Sequence, residues 1–272
     1  MTERASRAKD IYTVLAARGG ADRRFLEAIY GRFNRRAYVA PDPLQFLYDY
    51  PDLRDREIVG FVASYLAYGR VAQILKSVGA AVRPMGPSPA RFLACSSPRQ
   101  VRAAFRGFKH RFTTGDDLAA LLLGIRRTVA RHGSLNACCL AGLRRDGDLL
   151  EGSRLLVASI AGENKKLVPC PRRGSACKRL QLFLRWMVRC DEVDPGGWRG
   201  ISPAQLVVPL DTHMHQVARA LRLTRRNAAD LRTANEITEA FRRISPDDPV
   251  KYDFALTRLG IRSDLTAEDV GG

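Results

Sequence analysis

No two of the six cysteines form a CxxC pair, and no four carry zinc or iron–sulfur spacing. Cys95, Cys138, Cys139, Cys170, Cys177 and Cys190 are therefore expected to be reduced thiols, several packed as small hydrophobes. No metal and no other cofactor is expected. The chain also lacks an apolar run long enough to cross a membrane, so no membrane partner is expected. Its opening, MTERASRAKD, is charged and has no apolar core, which predicts no secretory signal and a cytoplasmic location. Alternating strand patterns are scarce, and no internal repeat or low-complexity tract is present. Acidic residues are in short supply as well: 28 Asp and Glu face 45 Lys and Arg, a formal charge of +17. Arginine, which suits bidentate phosphate contacts, supplies most of the excess and points to a polyanionic partner. The bland alternative is a coding bias that places arginine on solvated surface. With 272 residues, 46% of them hydrophobic, the chain can build one large domain or two lobes with real cores.

Helical periodicity prevails, and the fold class is all-α. Asp22 is placed to cap a helix whose Phe25, Leu26, Ile29, Tyr30 and Phe33 share a face, and Asp42-Pro43 opens another. Glu57–Arg70, EIVGFVASYLAYGR, is apolar nearly all round and reads as a buried central helix ending near Gly69. Val71–Val82 continues as a helix until Pro84. Ser88-Pro89, Ser97-Pro98, Thr114 and Ser134 begin further helices, and Leu149–Ile160 makes another. Thr233 and Glu236 have capping-box spacing, and a last helix runs through Leu259 to Gly260.

The stretch from Arg172 to Leu221 organises the rest. Ser175 is an N-cap candidate for a helix that buries Leu180, Phe183, Leu184 and Met187, with Lys178 on the opposite side in line with Leu182, Arg185 and Arg189. A long loop holding Pro195, Trp198 and Pro203 follows, and Asp211 caps a second helix carrying Met214, Val217, Ala218 and Leu221. Two helix starts joined by a loop can bring the Lys178 amine and the Asp211 carboxylate together. Trp198 either stacks on a ligand or plugs its loop onto the core.

SYLAYGRV (Ser64–Val71), KRLQLFLRWMVR (Lys178–Arg189) and DPVKYDFALTRLGI (Asp248–Ile261) identify the chain as a member of a bacterial family of long-unassigned function. VVPLDTHMHQVARALRL (Val207–Leu223) resembles the helix-hairpin-helix DNA glycosylases, in which a V/L-D-T-H motif carries the essential aspartate. The resemblance gives that role to Asp211 and, in lyase-competent members, a nucleophilic role to a lysine just past a Gly-containing hairpin. Pro171, Gly174 and Ser175 followed by Lys178 look like a modified hairpin. Lys178 precedes Asp211 by 33 positions, a spacing similar to that of archaeal 8-oxoguanine glycosylases, which also lack an iron–sulfur cluster. Where the family's core helix ends in a Gln-containing motif, this chain has Ala67-Tyr68-Gly69-Arg70.

The resemblance implies a two-lobed helical fold with the active site in the cleft between lobes. Residues 1–55 would pack with 207–272 as one lobe, and 56–206 would form a helical core lobe with the hairpin near 170–178. It implies excision of a damaged base, 8-oxoguanine first among candidates, with lyase chemistry through a lysine Schiff base. Lys178 and Asp211 would be catalytic; Arg172, Arg173, Gly174, Ser175, Arg179 and His213 would touch DNA; Tyr68, Phe183, Trp186 and Trp198 would line the base pocket. A monomer acting on DNA in the nucleoid is implied, with RNA as another possible target. Asp211 as a plain N-cap, Lys178 as a solvated lysine, Lys165 or Lys166 as the amine, and the aromatics as core residues are the competing readings. A helical nucleic-acid-binding protein without chemistry is the rival function. A metallohydrolase on Asp211, His213 and His215 is disfavoured, because the two imidazoles diverge by about 200° on a helix.

Overall fold

In a computed structural model of the chain, residues 3–162, 168, 174–262 and 264–271 are described. They are mostly helical. In order come α1 Glu3–Ala17, α2 Arg23–Phe33, α3 Leu53–Tyr65, α4 Val71–Val82, α5 Pro89–Cys95 and α6 Pro98–Ala104. A two-stranded antiparallel ribbon, β1 Lys109–His110 and β2 Thr113–Thr114, precedes α7 Gly115–His132, α8 Leu135–Asp146 and α9 Leu149–Ala161. Then follow α10 Lys178–Val188, α11 Thr212–Ala220, α12 Leu231–Arg242, α13 Asp253–Ile261 and the short α14 Glu268–Gly271. Among the described residues no helix is long and apolar enough to cross a membrane.

The chain divides into two compact units. Unit 1 is residues 1–38, 174–181 and 202–272, and unit 2 is residues 39–173 and 182–201. Residues 39–55 thus group with the central helix α3, and 174–181 with the C-terminal helices, so these boundaries differ from the 55/56 and 206/207 expected from the sequence. The reason for the first difference is local. Asp42 caps a 3₁₀ turn, Pro43–Asp49, whose Leu44 and Leu47 are fully buried, and Leu47 lies against Gly60 of α3.

Unit 2 is built around α3. Capped by Asp52, it begins four residues earlier than its apolar run suggests, and Asp55 through Tyr65 are buried except Arg56. Its two buried acids act as long-range caps. Asp55 Oδ1 accepts the Ala90 N–H (2.7 Å) and the Ser88 hydroxyl at the start of α5, and Glu57 accepts the N–H groups of Leu135 (3.2 Å) and Asn136 (3.0 Å) at the start of α8. Each satisfies helix N–H groups that would otherwise lack partners, and a buried carboxylate that would otherwise be costly. Glycines set how closely α7, α8 and α9 approach: a Cβ on Gly124 would sit 2.0 Å from the Ile160 carbonyl oxygen, and one on Gly142 would sit 2.7 Å from the Gly152 Cα.

The long loop after α10 is held down, which corrects part of the sequence reading. Arg185 and Arg189 do not face solvent: both are buried and grip Asp194, which is fully buried. Arg185 Nη2 lies 3.2 Å from Asp194 Oδ1, Arg189 bonds Oδ2, and Asp191 Oδ1 accepts the Asp194 N–H at 2.8 Å. The loop then runs back over α10, with the N–H of Trp198 donating to the Met187 carbonyl at 2.9 Å. The helix is consequently enclosed on nearly every side beyond its first turn.

In unit 1, α11 and α13 pack together with α1, while α2 also packs on α13. Ile11 and Leu15 of α1, Met214 and Val217 of α11, and Leu256 of α13 are buried. Asp230, not Thr233, caps α12, because the Thr233 N–H is the group bonded, 2.9 Å from Asp230 Oδ1. The helix expected through Leu259 to Gly260 is α13, which starts at Asp253, and the Ser245–Pro249 segment before it lies in turns and irregular chain.

Asp194→Ala leaves two guanidinium groups buried without their carboxylate. It is expected to cost about 3–5 kcal/mol of stability, read as a lowered denaturation midpoint in urea with an unchanged slope.

Candidate functional site

Lys178 is the first residue of α10, and Cys177 just before it explains the helix start. Cys177 has φ 44°, and its carbonyl accepts the N–H groups of Leu180 (2.8 Å) and Gln181 (3.1 Å). Cys177 therefore occupies the capping position expected for Ser175. The Ser175 hydroxyl instead accepts the Cys177 N–H at 3.2 Å, closing a local turn. Upstream, the Gly174 carbonyl accepts the Leu231 N–H at 3.0 Å and Ser175 bridges to Asp230, so this segment is tied to the start of α12. Arg172 and Arg173, with Lys165, Lys166, Cys170 and Pro171, lie outside the described residues.

Asp211 caps α11 in extended backbone, with Oδ1 accepting the Met214 N–H at 2.8 Å. Its other oxygen, Oδ2, lies 3.3 Å from Lys178 Nζ. Side-chain exposure is 18% for the aspartate and 33% for the lysine, so the pair is sheltered yet reachable from solvent. Burial by itself would raise the Asp211 carboxyl; the Lys178 ammonium, the Met214 N–H and His213 outweigh it and hold the group below its ordinary value. The structure thus joins the two residues singled out as catalytic.

Two further residues complete the surroundings, and neither was named from sequence as part of the site. Tyr12 of α1 places its hydroxyl 3.3 Å from His213 Nδ1. Burial, with the negative charge of Asp211 adding to it, pushes the Tyr12 phenol up to about 12. Gly260 of α13 makes room for both: a Cβ there would meet the Tyr12 hydroxyl at 2.3 Å and His213 Nδ1 at 2.8 Å. The one sequence signal for Tyr12 was the spacing of Ile11 and Leu15, which makes α1 a helix buried on one side. His213 thus faces α1 and α13, whereas His215 Nε2 bonds the Arg226 carbonyl at 2.9 Å. The two imidazoles serve different contacts, and among the described residues no group of three or more His, Cys, Asp or Glu is placed to hold a metal ion.

Arg179 follows Lys178 on α10 and is half-buried. The four aromatics expected around a base belong to unit 2 and serve its packing. Phe183 and Trp186 are fully buried and Trp198 nearly so, with the Phe183 ring edge-to-face against both Phe61 (5.0 Å) and Trp198 (5.2 Å). Tyr68 packs on His110 and donates to its carbonyl at 2.8 Å. Large apolar rings at helical spacing stabilise most when removed from water, which is why α10 turns them inward.

A mostly helical protein with a lysine and an aspartate paired at two helix starts is the class these observations define. The chain belongs to the family described as Protein of unknown function (DUF2400), whose profile matches residues 42–262. No curated protein and no solved structure matches it. The matched span includes Lys178, Asp211, His213 and Gly260 and leaves out Tyr12.

Because the folded-state Asp211 carboxyl is depressed below its ordinary 3.8, its charge contributes stability above that value and loses it as pH falls through the lower folded value. Asp211→Asn keeps a capping side chain and removes the charge. Its deficit against the parent, about 1 kcal/mol or less at pH 7, is expected to shrink to nothing as chemical-denaturation measurements move to pH 3 and below. A deficit independent of pH would show that the ion pair contributes nothing.

Proposed function

We propose that the protein is a DNA glycosylase that excises a damaged base, 8-oxoguanine being the first candidate, with lyase activity through a Schiff base on Lys178. The observation that supports this most is the 3.3 Å approach of Lys178 Nζ to Asp211 Oδ2, each at a helix start and partly open to solvent. The similarity of Val207–Leu223 to the V/L-D-T-H segment of helix-hairpin-helix glycosylases supplies the reaction class, by analogy. The formal charge of +17 suits a nucleic-acid substrate, and a cytoplasmic, nucleoid-associated monomer accords with it.

In this reading Asp211, held ionised, stabilises positive charge on the sugar as the C1′–N bond breaks and its electron pair leaves with the base. The Lys178 amine then forms the C1′–Nζ bond, its proton passing to the departing base nitrogen. The C1′–O4′ bond then opens, O4′ taking a proton from water, to give a protonated Schiff base, and loss of a C2′ proton to water with the 3′ phosphate as leaving group cuts the strand. An ammonium cannot attack, so in this reading the pair opens when substrate binds and the amine is freed for the reaction.

A second reading is favoured by the same contact. A capping aspartate paired with a lysine is a complete structural interaction, and Gly174 and Ser175 are already bonded to α12. A helical DNA- or RNA-binding protein without chemistry would contain both features.

Borohydride trapping on duplexes with single lesions separates the two. The glycosylase reading expects a covalent adduct with at least one lesion, absent in Lys178→Gln, and base release reduced about a hundredfold or more in Asp211→Asn. No adduct and no base release from any lesion, with DNA binding unchanged in both variants, leaves the binding protein.

A further inference from the structure

Unit 2 carries a feature that the lysine–aspartate pair does not use. Beside α6 and the start of α7 lies a cleft of about 530 Å3 lined by Arg99, Arg102 and Arg106, with Asp116 the only acid on its wall. Arg99 and Arg102 are three apart on α6 and Arg106 follows its end, so one side of the helix presents all three. All three are exposed, and among the described residues none of their side chains has an ion pair or a hydrogen bond. The start of α7 is not itself the attraction, because Thr114 and Asp117 already cap each other's N–H groups there. Three cations converging on a concave wall create a field that one carboxylate does not cancel. An anion with several charged oxygens is the complement, and arginine forks suit phosphate.

The ribbon β1–β2 leads straight into this cleft, since Thr114 ends β2 and lines it. At the ribbon's turn stands Phe112, 85% exposed and the one exposed large hydrophobic side chain among the described residues. The Arg111 guanidinium lies 5.7 Å from its ring centroid, and Lys109 is exposed on β1. The turn is rigidly mounted. His110 is fully buried, with Nδ1 2.9 Å from the Ser77 hydroxyl and Nε2 3.0 Å from the Tyr68 carbonyl oxygen. The Tyr68 hydroxyl bonds the His110 carbonyl at 2.8 Å and Thr113 at 2.7 Å, and Gly69 gives Arg111 room to pass, a Cβ there falling 2.9 Å from Arg111 Cδ. A held turn that leaves a phenyl ring in water is a preorganised stacking surface. Two residues of extended chain, about 7 Å, carry it from the ring to the cleft, a span of the order of one nucleotide.

We propose that this surface holds a DNA strand, with Arg99, Arg102 and Arg106 on backbone phosphates in the cleft and Phe112 stacked on a base that has left its neighbour. A single ring surrounded by cations is too little apolar surface to seat a membrane-associated face, which needs an apolar stripe, or the core of a protein interface. One ring is what a base needs. The preference for DNA over RNA rests on the glycosylase reading; the phosphate-and-base chemistry of the surface does not.

The test uses the full chain and labelled oligonucleotides: single-stranded DNA, duplex DNA with one unpaired base, and single-stranded RNA, each titrated across a salt series. Vesicles of phosphatidylserine and phosphatidylcholine serve as the lipid arm. Replacing Arg99, Arg102 and Arg106 together by Gln is expected to lower the slope of log affinity against log salt by about one to three. Phe112→Ala is expected to weaken binding to the unpaired-base duplex about tenfold. Phe112→Trp, an exposed indole beside the buried Trp186 and Trp198, is expected to lose emission when DNA is added. An unchanged salt slope in the triple variant, a Phe112→Trp emission indifferent to DNA, tighter binding to RNA than to DNA, or Phe112-dependent binding to vesicles would each overturn the proposal. None of these readouts involves a lesion or an adduct. Phe112-dependent DNA binding with no trapped lesion and no base release therefore removes the glycosylase reading alone, whereas trapping insensitive to the arginine and phenylalanine variants removes this surface alone.

Discussion

A carboxylate taken out of water needs N–H groups or a cation, and this requirement recurs wherever the protein positions something that matters. Asp55 and Glu57 leave solvent inside α3 and meet the open N-termini of α5 and α8. Asp194 leaves solvent entirely between Arg185 and Arg189 and pins the loop to α10. Asp211 meets both kinds of partner at once: the N–H of Met214 through one oxygen and the ammonium of Lys178 through the other. Because the first bond fixes the carboxylate's orientation, the second fixes where the amine rests. The Lys178–Asp211 geometry is thus a by-product of starting α11 at Asp211 and α10 at Lys178.

Many helix starts were legible where the cap is chemical and local, although Asp52 and Asp230 cap α3 and α12 in the same way and were not read. Asp22, Asp42, Ser88, Ser97, Thr114, Ser134 and Asp211 all bond N–H groups two or three residues ahead. Ser175 and Thr233 misled because a hydroxyl near a helix start has other uses. The Ser175 hydroxyl closes a turn onto Cys177, and Thr233 is itself the group that Asp230 caps. The inward turn of Arg185 and Arg189 was illegible for a different reason. A charged residue at helical spacing reads as solvated unless its buried counter-charge is known, and Asp194 lies on a loop with no periodicity to reveal its direction.

Of the candidate site, the lysine and the aspartate could be named from sequence because each opens a helix and the segments around them resemble those of a known family. Their environment could not. Tyr12 stands 201 positions before His213, and Gly260 matters for a side chain it does not have. The aromatics of α10 and its loop illustrate the opposite failure. A ring able to stack on a base and a ring able to fill a core have the same composition and spacing, and only their surroundings tell them apart.

Sequence alone determined that the chain is mostly helical, where many of its locally capped helices begin, and that it carries a large positive charge, because periodicity, capping and formal charge act within a few residues or need no geometry. Tertiary structure decided which charges are buried, which aromatics are core and which one, Phe112, is left in water, and that Lys178 meets Asp211. Each of those depends on groups far apart in the chain that close packing brings within a few ångströms, and no local pattern encodes the partner.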